Sequence, residues 1–183
     1  MLMMYAQGAF PMADEEGELE WYQPTTRAII PLNDYNVPRS LKQFLRDSNF
    51  TYKYDNDFES VIRSCAERES TWISEDLITA YDGLINLGNL HTVEVYENEK
   101  LVGGLYGISF RGAFFGESMF SNVEQASKCA LVKLLGKLKK NGFEILDVQF
   151  VTDHLQMFGA IEISFEEFKE KLLNAYSKEV LFQ

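Results

Sequence analysis

The chain has 183 residues, 46% of them hydrophobic, and a net charge of −11. That length holds one sizeable domain, or one domain with a small appendage, and the hydrophobic content predicts a packed core and excludes a disordered chain. No apolar run approaches the ~20 residues that span a bilayer, and 28 acids against 17 basic residues argue against a general nucleic-acid coat, while leaving room for a local basic patch and favouring cationic partners such as an N-terminal Arg or Lys.

Met1 to Ala6 is apolar but has no basic n-region, so a signal peptide is not expected. Tyr5 to Met12 reads as a helix end followed by a Gly-Pro turn, and Asp14 to Glu18 as a polar loop. Trp21-Tyr22-Gln23-Pro24 leads into a short strand from Arg27 to Leu32. Leu41, Phe44 and Leu45 have helical spacing behind Ser40 as N-cap, and Phe50 to Tyr54 alternates as a strand. Asp57 caps a helix through Val61, Ile62 and Cys65. Ser74 caps a second, with acids Glu75 and Asp76 in its first turn and Gly88 at its end. His91 to Tyr96, a turn at Glu97–Lys100, and Leu101 to Ile108 form a hairpin, and Phe110 to Phe120 adds a strand bulged near Gly112 and Gly116. A helix from Gln125 to Lys140, a strand from Glu144 to Phe150, a short helix opened by Thr152-Asp153-His154, and a last helix from Phe165 to Tyr176 complete the chain. Glu179-Val180-Leu181-Phe182-Gln183 resembles the remnant of a protease site and is set aside as a tail without function. The order predicts an α+β domain with a mixed, mostly antiparallel sheet flanked by helices. Its hairpin–strand–helix–strand–helix centre fits an N-acetyltransferase-like (GNAT) core.

Two places carry chemistry. Glu117 is a carboxylate among Phe114, Phe115, Met119 and Phe120, where an unpaired acid costs several kcal/mol or more. An acid beside an aromatic pocket suits an amino group on an apolar ligand; a buried ion pair with Lys128 is the structural alternative. Leu105, Phe114, Met119, Leu131, Leu134 and Leu146 are candidates to line such a pocket, or simply to fill the core. Asp147 and Gln149 lie two apart on one strand, so period two places an acid and an amide on one face, able to bond each other and a substrate amine. The same pattern fits the solvent face of an edge strand. Tyr5, Trp72 and Tyr81 can stack on a base, although packing is the ordinary role of each taken alone. Arg39, Lys42, Lys128, Lys133 and Lys137 form a candidate phosphate patch, or a solvated helix face. Cys65 and Cys129, without a CxxC pair, read as reduced thiols of a cytoplasmic protein. His91 and His154 read as satisfied structural histidines, and no metal site is expected. The strand-to-helix turn Ser121–Ser127 has no glycine to cradle a pyrophosphate, which disfavours a CoA-dependent acyltransferase.

In family order, Tyr5-x-x-Gly8-x-Phe10-Pro11-Met12, Trp21-x-x-Pro24-x-x-Arg27, Arg39-Ser40-Leu41, Thr71-Trp72-Ile73, His91–Val95, Leu101–Gly107, Gly116-Glu117-Ser118-Met119-Phe120-Ser121, Ala126-Ser127-Lys128, Asp147-Val148-Gln149 and His154 with Gly159-Ala160 are similar to the leucyl/phenylalanyl-tRNA–protein transferases. The resemblance covers nearly the whole chain. Where that family has Ile-Pro-Arg, this chain reads Ile163-Ser164-Phe165.

The resemblance implies a remnant of a truncated small N-terminal domain (1–26) before an acetyltransferase-like transfer domain (27–183). It implies transfer of Leu, Phe or Met from aminoacyl-tRNA to proteins that begin with Arg or Lys, with no cofactor, no metal and no membrane. It gives Asp147 the role of polarising the Gln149 amide, which contacts the attacking amine, and places Glu117 beside the aminoacyl group. The six apolar residues become the aminoacyl pocket, and Met12 and Trp72 contact the terminal adenosine. The alternative is a non-catalytic module that binds aminoacyl-tRNA or peptides with N-terminal Arg or Lys. On this reading an Asp147→Ala variant loses transfer but stays folded.

Overall fold

The computed structural model describes residues 1–13, 18–67 and 72–183. Most of the loop expected at Asp14–Glu18, and Thr71, lie outside the described residues. Helix α1 (Leu2–Ala6) leads into strands β1 (Phe10–Ala13) and β2 (Leu19–Tyr22), an antiparallel pair separate from the main sheet. Then come β3 (Thr26–Ile30), α2 (Arg39–Asp47), β4 (Thr51–Tyr54), α3 (Phe58–Ala66), α4 (Glu75–Asn86), β5 (Leu90–Glu97), β6 (Lys100–Phe110) and β7 (Ala113–Ser121). Helix α5 (Ala126–Lys140), β8 (Ile145–Gln149), α6 (Asp153–Gln156), β9 (Ile161–Ser164) and α7 (Phe165–Tyr176) finish the chain.

Seven strands form one sheet in the order β4-β5-β6-β7-β8-β3-β9, antiparallel throughout except for the β7–β8 pair. The connection from β7 to β8 runs through α5, the crossover a parallel pair requires. Helices cover both faces. On one, α5 buries Cys129, Leu131, Leu134 and Leu138 against Val93, Leu105 and Leu146. It approaches closely because β6 carries Gly103, where a Cβ would sit 2.4 Å from the Ala126 Cβ. On the other, α3, α4 and α7 pack Val61, Leu77 and Phe168 against Tyr106, Ile108 and Phe115. Among the described residues no helix is long and apolar enough to cross a membrane.

Local signals set most helix ends as expected. Asp57 accepts from the Ser60 amide at 3.1 Å and Ser74 from Leu77 at 3.2 Å. Ser40 is not the cap of α2: the cap is Pro38, two residues earlier, and the helix starts at Arg39. Strands β1, β2 and β9 were not anticipated, being four residues each and lacking clear alternation.

The tail set aside in the sequence is part of the fold. Phe182 is buried, stacked on His91 at 4.2 Å and Phe114 at 5.4 Å, with the Lys137 ammonium 5.0 Å from its ring. Asn141 Nδ2 donates to the carbonyls of Leu181 and Gln183, at 2.9 and 2.8 Å. His91 beneath it is the satisfied histidine expected, between Asp55 Oδ2 at 2.9 Å and Ser109 Oγ at 3.0 Å. A Phe182→Ala variant empties this slot and should lose about 3–5 kcal/mol of unfolding free energy in a urea titration.

Candidate active site

The site lies where the sheet splits. Strands β7 and β8 pair in parallel only from Ala113–Ile145 to Phe115–Asp147, and beyond that they part. Both strands are irregular at that point. On β7, Gly116 pairs with Gly107 and Ser118 with Tyr106, so Glu117 is the extra residue of a bulge. On β8, Asp147 pairs with Ile29 and Gln149 with Ala28, leaving Val148 as the extra residue. Bulges re-aim side chains, and here they interrupt the alternation on which the sequence argument relied.

The consequence for Asp147 and Gln149 is that they do not act as a face-sharing couple. Asp147 is fully buried and bound by Arg27 of β3, which is also fully buried. Arg27 Nε donates to Oδ1 at 2.8 Å and Nη2 to Oδ2 at 2.5 Å, a bidentate fork. Arg27 Nη1 donates to the Gly8 carbonyl at 2.9 Å, and its guanidinium lies 4.3 Å from the Phe10 ring and 4.9 Å from that of Phe168. The Asp147 carboxylate touches Gln149 only through the backbone, accepting from its N–H at 3.1 Å. Gln149 has φ +60°, and the Phe150 N–H reaches the Val148 carbonyl at 2.7 Å. This is a γ-turn of the rare positive-φ kind, whose strain is of order 1–3 kcal/mol. It turns the Gln149 amide toward β7, where Nε2 donates to the Gly116 carbonyl at 2.7 Å and approaches Glu117 Oε1 at 3.4 Å. With its NH2 held there, the amide leaves its oxygen free to accept.

Glu117 forms no ion pair with Lys128. The contrast with Glu94 is informative. Glu94 is fully buried but accepts from the amides of Asn56 and Asp57 and from the hydroxyls of Thr92 and Tyr96. Glu117 is half-buried and has, besides the nearby Tyr5 hydroxyl, the long contact from Gln149. Burial, with Asp147 adding repulsion, pushes its pKa up to about 8; the Tyr5 hydroxyl and Arg27 offset part of this. Glu117 is therefore a neutral acid at pH 7, able to donate a hydrogen bond. Beneath it lie the buried side chains of Tyr5, Tyr81 and Tyr106, whose hydroxyls interact with one another and, through Tyr5, with Glu117.

Glu117 and Gln149 border a cavity of about 310 Å³. Five of the six apolar residues expected to line a pocket do so: Leu105, Met119, Leu131, Leu134 and Leu146. Phe114 does not; it is wholly buried behind them, against Phe143 and Phe182. Tyr106, Gly116, Ser118, Val148, Thr152, His154 and Leu155 also border the cavity. A second cavity of similar volume, edged by Ser64, Ser121, Asn122 and Ser127, shares Met119 and His154 with the first.

A family model described as leucyl/phenylalanyl-tRNA protein transferase matches residues 29–173, and one for the N-terminal domain of that transferase matches residues 2–25. The chain belongs to this family. It is 46% identical over 188 residues to the leucyl/phenylalanyl-tRNA–protein transferase of Paramagnetospirillum magneticum, covering 100% of this chain and 90% of that protein. The enzyme of the same name from Gluconobacter oxydans is 47% identical over 181 residues, covering 96% and 80%. Among solved structures, L-PGS from Bacillus licheniformis aligns with a TM-score of 0.47 at 13% identity, covering 81% of this chain and 56% of that one.

Other family positions fall variously. Tyr5 and Tyr81 are wholly buried, so neither presents a face on which a base can stack. Met12 and Trp72 are half-buried and border neither cavity. Arg39 and Lys42 are exposed on α2, but the ammoniums of Lys133 and Lys137 lie over the rings of Tyr52 and Tyr54 at 4.3 and 4.4 Å, packed onto β4. Sequence reasoning missed Arg27 as the partner of Asp147, although the family motif ends on it, and took His154 for a satisfied histidine, whereas its Nε2 is buried without a partner.

The ion pair gives Asp147 a structural role that an Asp147→Ala variant also removes. Removing the carboxylate leaves a buried guanidinium uncompensated, and Asp147→Ala or Asp147→Asn should lower the unfolding free energy by about 3–5 kcal/mol in denaturant titrations. Glu117 gives a pH signature of opposite sense. Below its ordinary value of 4.5 the acid is protonated folded or unfolded, and Glu117→Gln matches the parent in stability. Between there and about 8 the unfolded chain has released the proton and the folded one holds it, so the parent loses stability as pH rises. At pH 8.5 Glu117→Gln should be the more stable by on the order of 1–3 kcal/mol, read by denaturation at several pH values.

Proposed function

We propose that this protein transfers Leu or Phe, and Met through the same pocket, from aminoacyl-tRNA to the N-terminal Arg or Lys of acceptor proteins, in the cytoplasm, as a step of the bacterial N-degron pathway. The observation that carries this reading is an apolar cavity bordered by an acid and an oriented amide, in a chain that matches the transferase family along its length. The cavity suits an unbranched-at-β aminoacyl side chain. Its apolar wall discriminates against one misplaced methyl by only ~1–3 kcal/mol, so rejection of Ile and Val is modest.

The reaction is ester aminolysis. The ester arrives activated, so the chemistry calls for no ATP, CoA or metal. An α-amine with a pKa of ~7.7–8.0 has a useful neutral fraction at cellular pH. The free oxygen of Gln149 accepts a hydrogen bond from that amine and aims its lone pair at the ester carbonyl. Neutral Glu117 donates to the oxygen on which negative charge develops. Holding both substrates in one cleft supplies up to ~7–11 kcal/mol of the acceleration. Asp147 acts at one remove: it fixes the γ-turn that orients Gln149.

The parting of parallel β7 and β8 beside the cleft supports an N-acetyltransferase-like reading of the sheet. The two family matches, meeting near residue 27, support an N-terminal domain segment over 1–26 and a transfer domain over 27–183. The test is a transfer assay with purified chain, Leu-tRNA or Phe-tRNA, and a peptide that begins with Arg. Labelled Leu or Phe should appear at the peptide's N-terminus, and a Gln149→Ala variant should be at least tenfold slower. Tight binding of aminoacyl-tRNA without turnover favours the non-catalytic module instead.

A further inference from the structure

Aminolysis must dispose of a proton. The amine nitrogen forms a bond to the ester carbon, the bond from that carbon to the ribose oxygen breaks, one proton leaves the nitrogen, and one reaches the departing oxygen. None of the three polar groups considered so far suits the first transfer. The amide of Gln149 is a hydrogen-bond acceptor but no base. Both oxygens of Asp147 are engaged by Arg27, behind the cavity wall. Glu117 already carries its proton at neutral pH.

The wall of the same cavity holds one more basic group among the described residues. We infer that His154, set where the apolar and polar cavities meet, takes the proton from the attacking amine and returns it to the departing ribose oxygen; this rests on the transferase reading above. The side chain is positioned by α6, whose first turn is pinned by Thr152 Oγ1 accepting from the Leu155 amide at 3.3 Å, and by Phe158, on which the imidazole stacks at 6.0 Å. Its Nε2 is buried without a hydrogen-bond partner and the residue lines both cavities, so Nδ1 is assigned the proton transfer. Burial, and the charge of Lys128 on α5, hold the imidazole below its ordinary pKa of 6.5. Glu117, lining the apolar cavity, and Glu67, lining the polar one, are the acids beside the same space, and Asp153 precedes it on α6. A neutral imidazole at cellular pH is the form that accepts a proton, and a low pKa makes it quick to give the proton back.

Deleting the side chain opens room for a small base, which supplies a readout that a purely structural role does not give. In single-turnover transfer of Leu to an Arg-started peptide, His154→Ala should lose on the order of 10²–10⁴ in rate, with KM for aminoacyl-tRNA and for peptide within threefold of the parent. Added imidazole should restore at least tenfold, more as pH rises through its own pKa. His154→Gln, which fills the space, should be as slow and should not respond to imidazole. A His154→Ala rate within threefold of the parent overturns the assignment, as does a loss that imidazole does not repair. Should His154→Ala fail to fold, His154→Gln decides: slow with KM unchanged supports the inference, and a parent-like rate ends it. If the parent itself performs no transfer, the failure belongs to the reading of the preceding subsection and not to His154.

Discussion

The buried fork between Arg27 and Asp147 is the constraint around which the rest is arranged. Two charges taken fully out of water are tolerated only when geometry is good and the remaining donors are satisfied. Here one guanidinium spans three parts of the chain. It pairs with β8, it belongs to β3, and it donates to the carbonyl of Gly8 beyond α1. Gly8 has φ +83°, and a Cβ there would lie 3.0 Å from the Phe168 ring, so the chain passes at a point only glycine fits. The N-terminal segment, the middle of the sheet and α7 are thereby fixed to one another through a single side chain.

That fork also decides what Asp147 can do. A carboxylate with both oxygens committed to a guanidinium is a fixed point, and its remaining contact is the Gln149 N–H. The γ-turn that follows is strained, and strain persists only where the surroundings over-determine it. The ion pair on one side and the Gly116 carbonyl on the other do so. An amide held at both its backbone and its NH2 presents its oxygen in one direction, which is how a group that is no base contributes to aminolysis.

The cleft follows from the topology. A single parallel pair inside an antiparallel sheet has slanted bonds and ends after three residues, and its two strands part where each carries a bulge. Glu117 occupies one bulge and Val148 the other, so the irregularities that spoil the sheet line the cavity. The charge state of Glu117 has the same origin. Its bulge brings it to a wall with few polar contacts, while Glu94 on β5 finds four donors and serves the fold alone.

The sequence by itself determined the local elements and the family. Asp57 and Ser74 announced their helices, the apolar stripe of α5 and the hairpin of β5 and β6 followed from periodicity, and five pocket residues were legible as apolar positions, Leu105 and Met119 of them within family motifs. Only the tertiary structure decided which side chains meet. That Asp147 is bound to Arg27, 120 residues away, that Phe182 closes the core over His91, and that Tyr5 and Tyr81 are buried beneath Glu117 depend on contacts between distant segments. Side-chain periodicity holds as long as a strand is regular; the bulge of β7 was marked by Gly116, whereas that of β8 at Val148 leaves no mark in the residue types. The direction of Asp147 and Gln149 was therefore beyond the reach of pattern, because one extra residue in the ladder sends neighbouring side chains to opposite sides.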